Sequence, residues 1–315
     1  MKILVTPTSL KEDSPLKAMQ ILKEYADELV FNPYGRPLTE EELIPLIQGC
    51  DGYIAGLDWV TGKVLEGADR LKAISRYGVG YDRVNVPEAK KHHITVTNTP
   101  GVNSRAVAEL AFGLILSLAR KIPWLNEKTG GGEWVRVSGL ELNGKILGVV
   151  GLGAIGKIVA QYGQAFGMNV LAYDPYIDNN FCRENGIEVC ELFPLLERAD
   201  VVTLHVPLTT ETKHLICRKT LDIMKQGAFL VNTARGGLID EEAAARALDE
   251  GKLSGLGLDA FEQEPLKDSP LFGRSDVVLT PHTGAHTREA VEKMAMLSVE
   301  NLIQVLEEKP CQYIL

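Results

Sequence analysis

Three segments of this sequence set chemically capable side chains directly after short apolar runs. They are Val231-Asn232-Thr233-Ala234-Arg235-Gly236-Gly237, Leu258-Asp259-Ala260-Phe261-Glu262-Gln263-Glu264-Pro265 and Leu279-Thr280-Pro281-His282-Thr283-Gly284-Ala285-His286. If the apolar runs are strands of an open parallel sheet, their C-terminal ends gather where ligands bind. An arginine at such an end can hold a carboxylate through two parallel hydrogen bonds. A histidine can take or give a hydroxyl proton, and a neighbouring carboxylate favours the imidazolium and orients its ring. Arg235, Glu264 and His282 together suit hydride transfer at a 2-hydroxy acid, which needs a cation for its carboxylate and a base for its hydroxyl. Singly, each fits a structural role as well: Arg235 a helix-cap partner, Glu264 a solvated loop charge, His282 a satisfied turn histidine. His286 reads as structural or solvent-facing. A metal site from His282 and His286 lacks Cys or carboxylate ligands at useful spacing.

A hydride needs a carrier, and one further motif supplies its cradle. After Ile146-Leu147-Gly148-Val149-Val150 stands Gly151-Leu152-Gly153-Ala154-Ile155-Gly156, then a helix-like stretch from Lys157 to Phe166, then a strand ending at Asp174. Gly151 permits the tight turn, Gly153 lets a pyrophosphate approach the backbone, and Gly156 allows close packing of helix on strand. The helix start offers N–H groups and partial positive charge to phosphates. Asp174 follows Gly156 by 18 residues, close to the ~20 expected of an acid that accepts from a ribose 2′-hydroxyl. Its charge repels a 2′-phosphate, and Pro175-Tyr176-Ile177 offers no compensating arginine, so NAD is expected over NADP.

These residues need a frame. Short β-branched runs alternate with helical stretches along the chain, the pattern of parallel α/β proteins. Candidate strands in the first part are 2–6, 28–31, 53–55, 73–75 and 95–97. Thr39-Glu40-Glu41-Glu42 reads as a capping box that opens a helix. Near residue 100 a turn cluster leads into a nearly apolar helix from Asn103 or Ser104 to about Arg120, followed by the glycine-rich loop 130–132. Beyond Lys145 six strands are expected, at 146–150, 170–173, 201–205, 229–232, 255–258 and 277–280, enough for a doubly wound dinucleotide-binding domain. The final helix, about 288–307, is expected to return to the first domain. The reading therefore gives 1–98 with 288–315 as a substrate domain and 99–287 as the cofactor domain.

Composition closes off other classes. The 315 residues carry 33 basic and 42 acidic side chains, a net charge of −9, which repels phosphate backbones and anionic lipid. Neither a nucleic acid nor a membrane is expected as partner. Five cysteines without a C-x-x-C pair argue against a disulfide framework or structural zinc. No apolar run approaches the ~20 residues of a membrane span, and no signal peptide is read at the N-terminus. A soluble protein of a reducing, cytoplasmic compartment is expected.

Taken together, Gly151–Gly156, His205-Val206-Pro207-Leu208, Val231–Asp240, Leu258–Pro265 and Thr280–Gly284 resemble the D-isomer-specific 2-hydroxyacid dehydrogenases over nearly the whole chain. The resemblance implies two parallel α/β domains, a Rossmann NAD domain and a flavodoxin-like substrate domain, with the active site in the interdomain cleft. It implies a catalytic set in which Arg235 binds substrate, His282 is general acid/base and Glu264 is its partner. Asp259 and Thr233–Ala234 would face the nicotinamide, Pro207 and Thr212 would lie near the adenosine, and Ala154, Ile155 and Gly284 would complete the cofactor contacts. In the loop Ser75-Arg76-Tyr77-Gly78-Val79-Gly80, the N–H groups of Val79 and Gly80 would meet the substrate carboxylate. Arg76 resembles a loop arginine of 3-phosphoglycerate dehydrogenases that is oriented toward the substrate phosphate; an ordinary salt bridge is its other reading. Asn103 resembles an interdomain asparagine near the substrate. Tyr77 is bulkier than the residue usual at that point in phosphoglycerate enzymes. Trp134 is expected in a core, or else reaching a neighbouring subunit's site, and the family's homodimer is expected. The implied reaction is NAD-dependent interconversion of a D-2-hydroxy acid and its 2-keto acid, with 3-phosphoglycerate and 3-phosphohydroxypyruvate as the first-choice pair. Glyoxylate or hydroxypyruvate reduction is the alternative, and an NAD(H)-sensing binding protein the alternative of another class.

Overall fold

The computed structural model describes all 315 residues. They form two compact units, Met1–Asn103 with Ala285–Leu315, and Ser104–Gly284.

The first unit is built on five parallel strands: β1 (Lys2–Val5), β2 (Glu28–Phe31), β3 (Gly52–Ala55), β4 (Ala73–Arg76) and β5 (Thr95–Thr97). Their order is β2-β1-β3-β4-β5, with every pairing parallel. The central strands are apolar on both faces because helices cover both. One layer seats Leu43, Ile47, Val64 and Ile74. The other seats Met19, Leu22, Met294 and Leu302, so the final helix Arg288–Leu306 closes this unit although it is remote in sequence. The capping box forms: Thr39 Oγ1 accepts from Glu42 N–H, and Glu42 Oε2 accepts from Thr39 N–H.

Tyr77 sits in the second of these layers. It shares an apolar cluster with Ile3, Met19 and Met294, its hydroxyl donates to the Val291 carbonyl at 3.2 Å, and Ser9 Oγ donates to it at 3.1 Å. Burial pushes the phenol up to about 12. Its bulk therefore fills the core of the first unit.

The second unit has seven parallel strands, one more than the sequence reading. They are β6 (Ile146–Val150), β7 (Asn169–Tyr173), β8 (Glu188–Val189), β9 (Val201–Leu204), β10 (Ala228–Asn232), β11 (Leu253–Leu258) and β12 (Val277–Leu279). The added strand, β8, is two exposed residues paired to β7 at the sheet edge. So short and solvated a segment has no alternation of burial to betray it. The order β12-β11-β10-β9-β6-β7-β8 reverses between β6 and β9, a switch point where strand ends splay and leave room for a ligand. The helices Ser104–Arg120 and Ala154–Ala165 cover one face through Phe112, Ile115, Val159 and Ala160. Leu195, Leu221, Ala244 and Leu248 cover the other.

Trp134, expected in a core, is instead 82% exposed. The segment 131–141 carries no helix or strand, so a lone aromatic behind three glycines has no element to take it into a core. All five cysteines are unpaired. No helix is long and apolar enough to cross a membrane.

Candidate active site

The strand ends of the second unit deliver the glycine turn first. Gly151 follows β6 with φ +97°, and a Cβ there would lie 2.7 Å from the His205 carbonyl carbon. A Cβ on Gly156 would stand 2.0 Å from the Gly151 carbonyl oxygen. Any side chain at either position would push helix and strand apart. By contrast, a Cβ on Gly153 would meet nothing within 4 Å. The turn is thus closed on its protein side and open at the start of the twelve-residue helix Ala154–Ala165, where a diphosphate meets N–H groups and the positive end of the helix. Ala154 and Ile155 are the first two residues of that helix.

Asp174 follows β7. Its two oxygens accept from Leu152 N–H at 2.8 Å and Tyr176 N–H at 2.7 Å, which ties the acid to the glycine turn itself. Pro207 and Thr212 share another turn, closed by Thr212 Oγ1 donating to the Pro207 carbonyl at 2.7 Å. Thr233 is 8% exposed, and its Oγ1 is buried with no partner in the protein. An orphaned hydroxyl at the end of β10, a closed glycine turn and an acid at the end of β7 are what a bound dinucleotide requires, so these residues fit NAD.

Arg235, Glu264 and His282 stand after the adjacent strands β10, β11 and β12. A residue not singled out in the sequence, Asn232, shapes the first of these turns. It is fully buried, accepts from Ala234 N–H at 3.0 Å and donates to the Arg235 carbonyl at 2.8 Å. The Arg235 guanidinium also donates to the Ala234 carbonyl at 2.8 Å. A buried Asn at the end of an apolar strand was the available signal, since such a side chain must find partners.

His282 Nδ1 lies 2.9 Å from Glu264 Oε1, and the same oxygen accepts from Phe261 N–H at 3.1 Å. The side chains are 23% and 8% exposed. A carboxylate at Nδ1 keeps a proton there, which leaves Nε2 as the nitrogen able to exchange one. The His282 backbone has φ +51°, a left-handed conformation uncommon for a non-glycine residue. Asp259 holds the residues on both sides of it. This carboxylate is 1% exposed and accepts from Thr280 Oγ1 at 2.6 Å, Thr283 N–H at 2.8 Å and Gly284 N–H at 2.8 Å. Asp259, expected against the nicotinamide, thus spends both oxygens on the turn that presents His282. His286 is exposed, and no group of His, Cys, Asp and Glu side chains is arranged to hold a metal ion.

The other candidates lie in the first unit, at the C-terminal rim of its sheet. Arg76 is 5% exposed, and its guanidinium donates to the carbonyls of Ala55, at 3.3 Å, and Tyr77. It lies flat against Gly78, whose N–H donates to Thr99 Oγ1 at 2.9 Å. Asn98 Nδ2 donates to the Val79 carbonyl at 2.8 Å. The loop is thereby pinned on both sides, with Val79 exposed and Gly80 half-buried. Asn103 is 7% exposed with a buried, unpartnered Oδ1.

Known proteins similar to this chain identify its family. Residues 112–284 match the model of the D-isomer specific 2-hydroxyacid dehydrogenase NAD binding domain. The chain is 44% identical over 310 residues to a D-3-phosphoglycerate dehydrogenase of Methanocaldococcus jannaschii, covering 97% of this chain but only 57% of that protein. It is 42% identical over 304 residues to a glyoxylate reductase of Thermofilum pendens, covering 93% of this chain and 89% of that one. Among solved structures, a D-lactate dehydrogenase from Aquifex aeolicus complexed with NAD and lactic acid superposes with a TM-score of 0.84 at 32% identity, covering 97% of this chain and 96% of that one. A closed glycine turn, an orphaned threonine hydroxyl and a histidine–glutamate pair on adjacent strand ends thus have a common explanation: the chain belongs to the D-isomer-specific 2-hydroxyacid dehydrogenases, and its cofactor is NAD.

Proposed function

We propose that this protein interconverts a D-2-hydroxy acid and its 2-keto acid, with His282 as the proton carrier. The observation that carries this reading is the 2.9 Å contact between His282 Nδ1 and Glu264 Oε1. Bound NADH supplies the hydride, and the protein does the rest. Arg235 holds the substrate carboxylate through two parallel hydrogen bonds, and the N–H groups of Val79 and Gly80 are the donors that the first unit offers a carboxylate. Asn103 is the further polar group for the substrate. As negative charge grows on the keto oxygen, His282 Nε2 gives it a proton, and Glu264 holds the ring while its charge changes. In the oxidative direction Nε2 takes the hydroxyl proton and Glu264 stabilises the imidazolium.

The finer question is the substrate. The resemblance of Arg76 to the loop arginine of 3-phosphoglycerate dehydrogenases, and the identity to one such enzyme, support the 3-phosphohydroxypyruvate reading. Against it, Arg76 is buried and its guanidinium holds the carbonyls at the ends of β3 and β4. That use of the arginine favours a small unphosphorylated acid such as glyoxylate or hydroxypyruvate. The test follows NADH oxidation with 3-phosphohydroxypyruvate, hydroxypyruvate, glyoxylate and pyruvate. A kcat/KM at least about tenfold higher for an unphosphorylated acid, a difference of about 1.4 kcal/mol, is expected. A preference for the phosphorylated acid that disappears in Arg76→Ala would reverse the substrate choice. Silence across the panel with NADH still bound would favour a cofactor-sensing binding protein.

A further inference from the structure

Glu264 sits on the segment that follows β11, where its carboxylate accepts from Phe261 N–H. Further contacts that hold this segment come from the stretch after β10. Gly236, the residue after Arg235, packs backbone to backbone on the Phe261–Glu262 peptide: a Cβ there would come within 1.8 Å of the Phe261 carbonyl carbon. Five residues further on, Glu241 opens the helix Glu241–Asp249. Its Oε1 accepts from the Glu262 N–H at 2.7 Å. The Glu262 side chain is in turn paired with His214 Nε2, and the His214 N–H donates to the Gly237 carbonyl at 2.8 Å. The turn that carries Arg235 and the segment that carries Glu264 are thus joined at three points: a backbone contact at Gly236, a carboxylate bond from Glu241, and the His214–Glu262 pair.

We propose that Glu241 is a positioning residue for the reaction, which through its bond to the Glu262 N–H holds Glu264 at the distance that orients His282. The inference rests on the reading of His282 and Glu264 as the acid/base pair. The location of Glu241 is electrostatically unfavourable. Burial, and then the neighbouring carboxylates of Glu262, Glu264 and Glu242, push its carboxyl above the usual range, against the lowering effect of its bond to Glu262 N–H. A helix start is well served by an acid, but Asp240 already caps this one by accepting from Ala243 N–H at 2.9 Å. Glu241 is therefore not needed as the cap, and its oxygen is turned to the neighbouring segment instead. A shift of about 1 Å in a reacting group can cost ~100-fold in rate, and a bond whose loss lets Glu264 drift by part of that should cost about tenfold.

The test compares Glu241→Ala, Glu241→Asp and Glu241→Gln with the wild type in the full chain. Steady-state kinetics with the best 2-keto acid and NADH give one readout. The nitrogen-bound proton signal of His282, assigned by its absence in His282→Gln, gives a second that needs no turnover. In Glu241→Ala we expect kcat to fall about tenfold while the NADH Kd stays within about twofold, and the His282 Nδ1 proton signal to broaden or move. Glu241→Asp keeps the charge at the helix start but shortens the reach, so it should show the same loss even if the alanine variant does not fold. Glu241→Gln retains an acceptor oxygen and should restore kcat to within about threefold of wild type. Wild-type kcat and an unmoved His282 signal in both the alanine and aspartate variants would overturn the proposal. So would a glutamine variant as impaired as the alanine one. A wild type that reduces no 2-keto acid would instead defeat the acid/base reading, while the His282 signal would still report whether Glu241 holds the pair.

Discussion

At the scale of single residues, burial decides the charge state of polar groups near the glycine turn. His205 is the clearest case. Its Nε2 meets Thr203 Oγ1 at 2.9 Å and its Nδ1 is buried without a partner. Burial lowers its pKa from 6.5 to about 3, so the ring is neutral in the folded protein near neutrality. The unfolded chain binds a proton there below about 6.5 and the folded protein does not, so stability is lost as the pH falls below that value. Folding stability is expected to drop by roughly 1–2 kcal/mol between about pH 7 and pH 5 from this group. His205→Gln should remove that share of the slope. Urea unfolding of both proteins at the two pH values measures it, and identical slopes would contradict the account.

At the scale of elements, strand ends and the turns beyond them determine what the sequence could reveal. The placement of Gly151, Gly153, Gly156 and Asp174 was legible because it depends on spacing within one strand-turn-helix-strand unit, which a sequence displays directly. Arg235, Glu264 and His282 were legible as types at strand ends, and the pairing of Glu264 with His282 was legible through the family resemblance. Asn232, Asp259 and Glu241 were harder, because each acts on a backbone group of a neighbouring turn. Such a partner is set by how two loops pack, and hydrophobic periodicity carries no record of that. The edge strand Glu188–Val189 escaped for the opposite reason, since it has almost no burial to pattern. The closeness of Gly156 to the Gly151 carbonyl makes the element-level claim testable. In Gly156→Ala the methyl must displace that peptide from 2.0 Å. NADH binding, read by fluorescence titration, should weaken by at least about tenfold, or about 1.4 kcal/mol. Unchanged affinity would mean the turn does not hold the cofactor as argued.

At the scale of the whole molecule, the second unit presents apolar side chains that its own core does not use. The helix Ile122–Gly130 has no buried residue, and Ile122, Trp134 and Val137 are 52%, 82% and 38% exposed. Exposed apolar groups gathered along one short stretch are a feature of surfaces that meet another subunit. A homodimer through the second unit is therefore expected, with a mass twice the 34.5 kDa of the chain. Light scattering after size exclusion should show that dimer, and Trp134→Glu should shift it toward monomer. A monomeric wild type would contradict the expectation.

The claim on which the functional account stands is that His282 moves the proton while the rest of the site binds. The most direct measurement is single-turnover reduction of the preferred 2-keto acid by NADH in His282→Gln beside the wild type, with NADH affinity measured on the same samples. The rate is expected to fall by about 100- to 10,000-fold, the range for removing a general acid, while NADH affinity stays within about twofold. A variant that keeps near-wild-type turnover would show that the proton comes from another group, and that the His282–Glu264 pair serves the fold instead of the reaction.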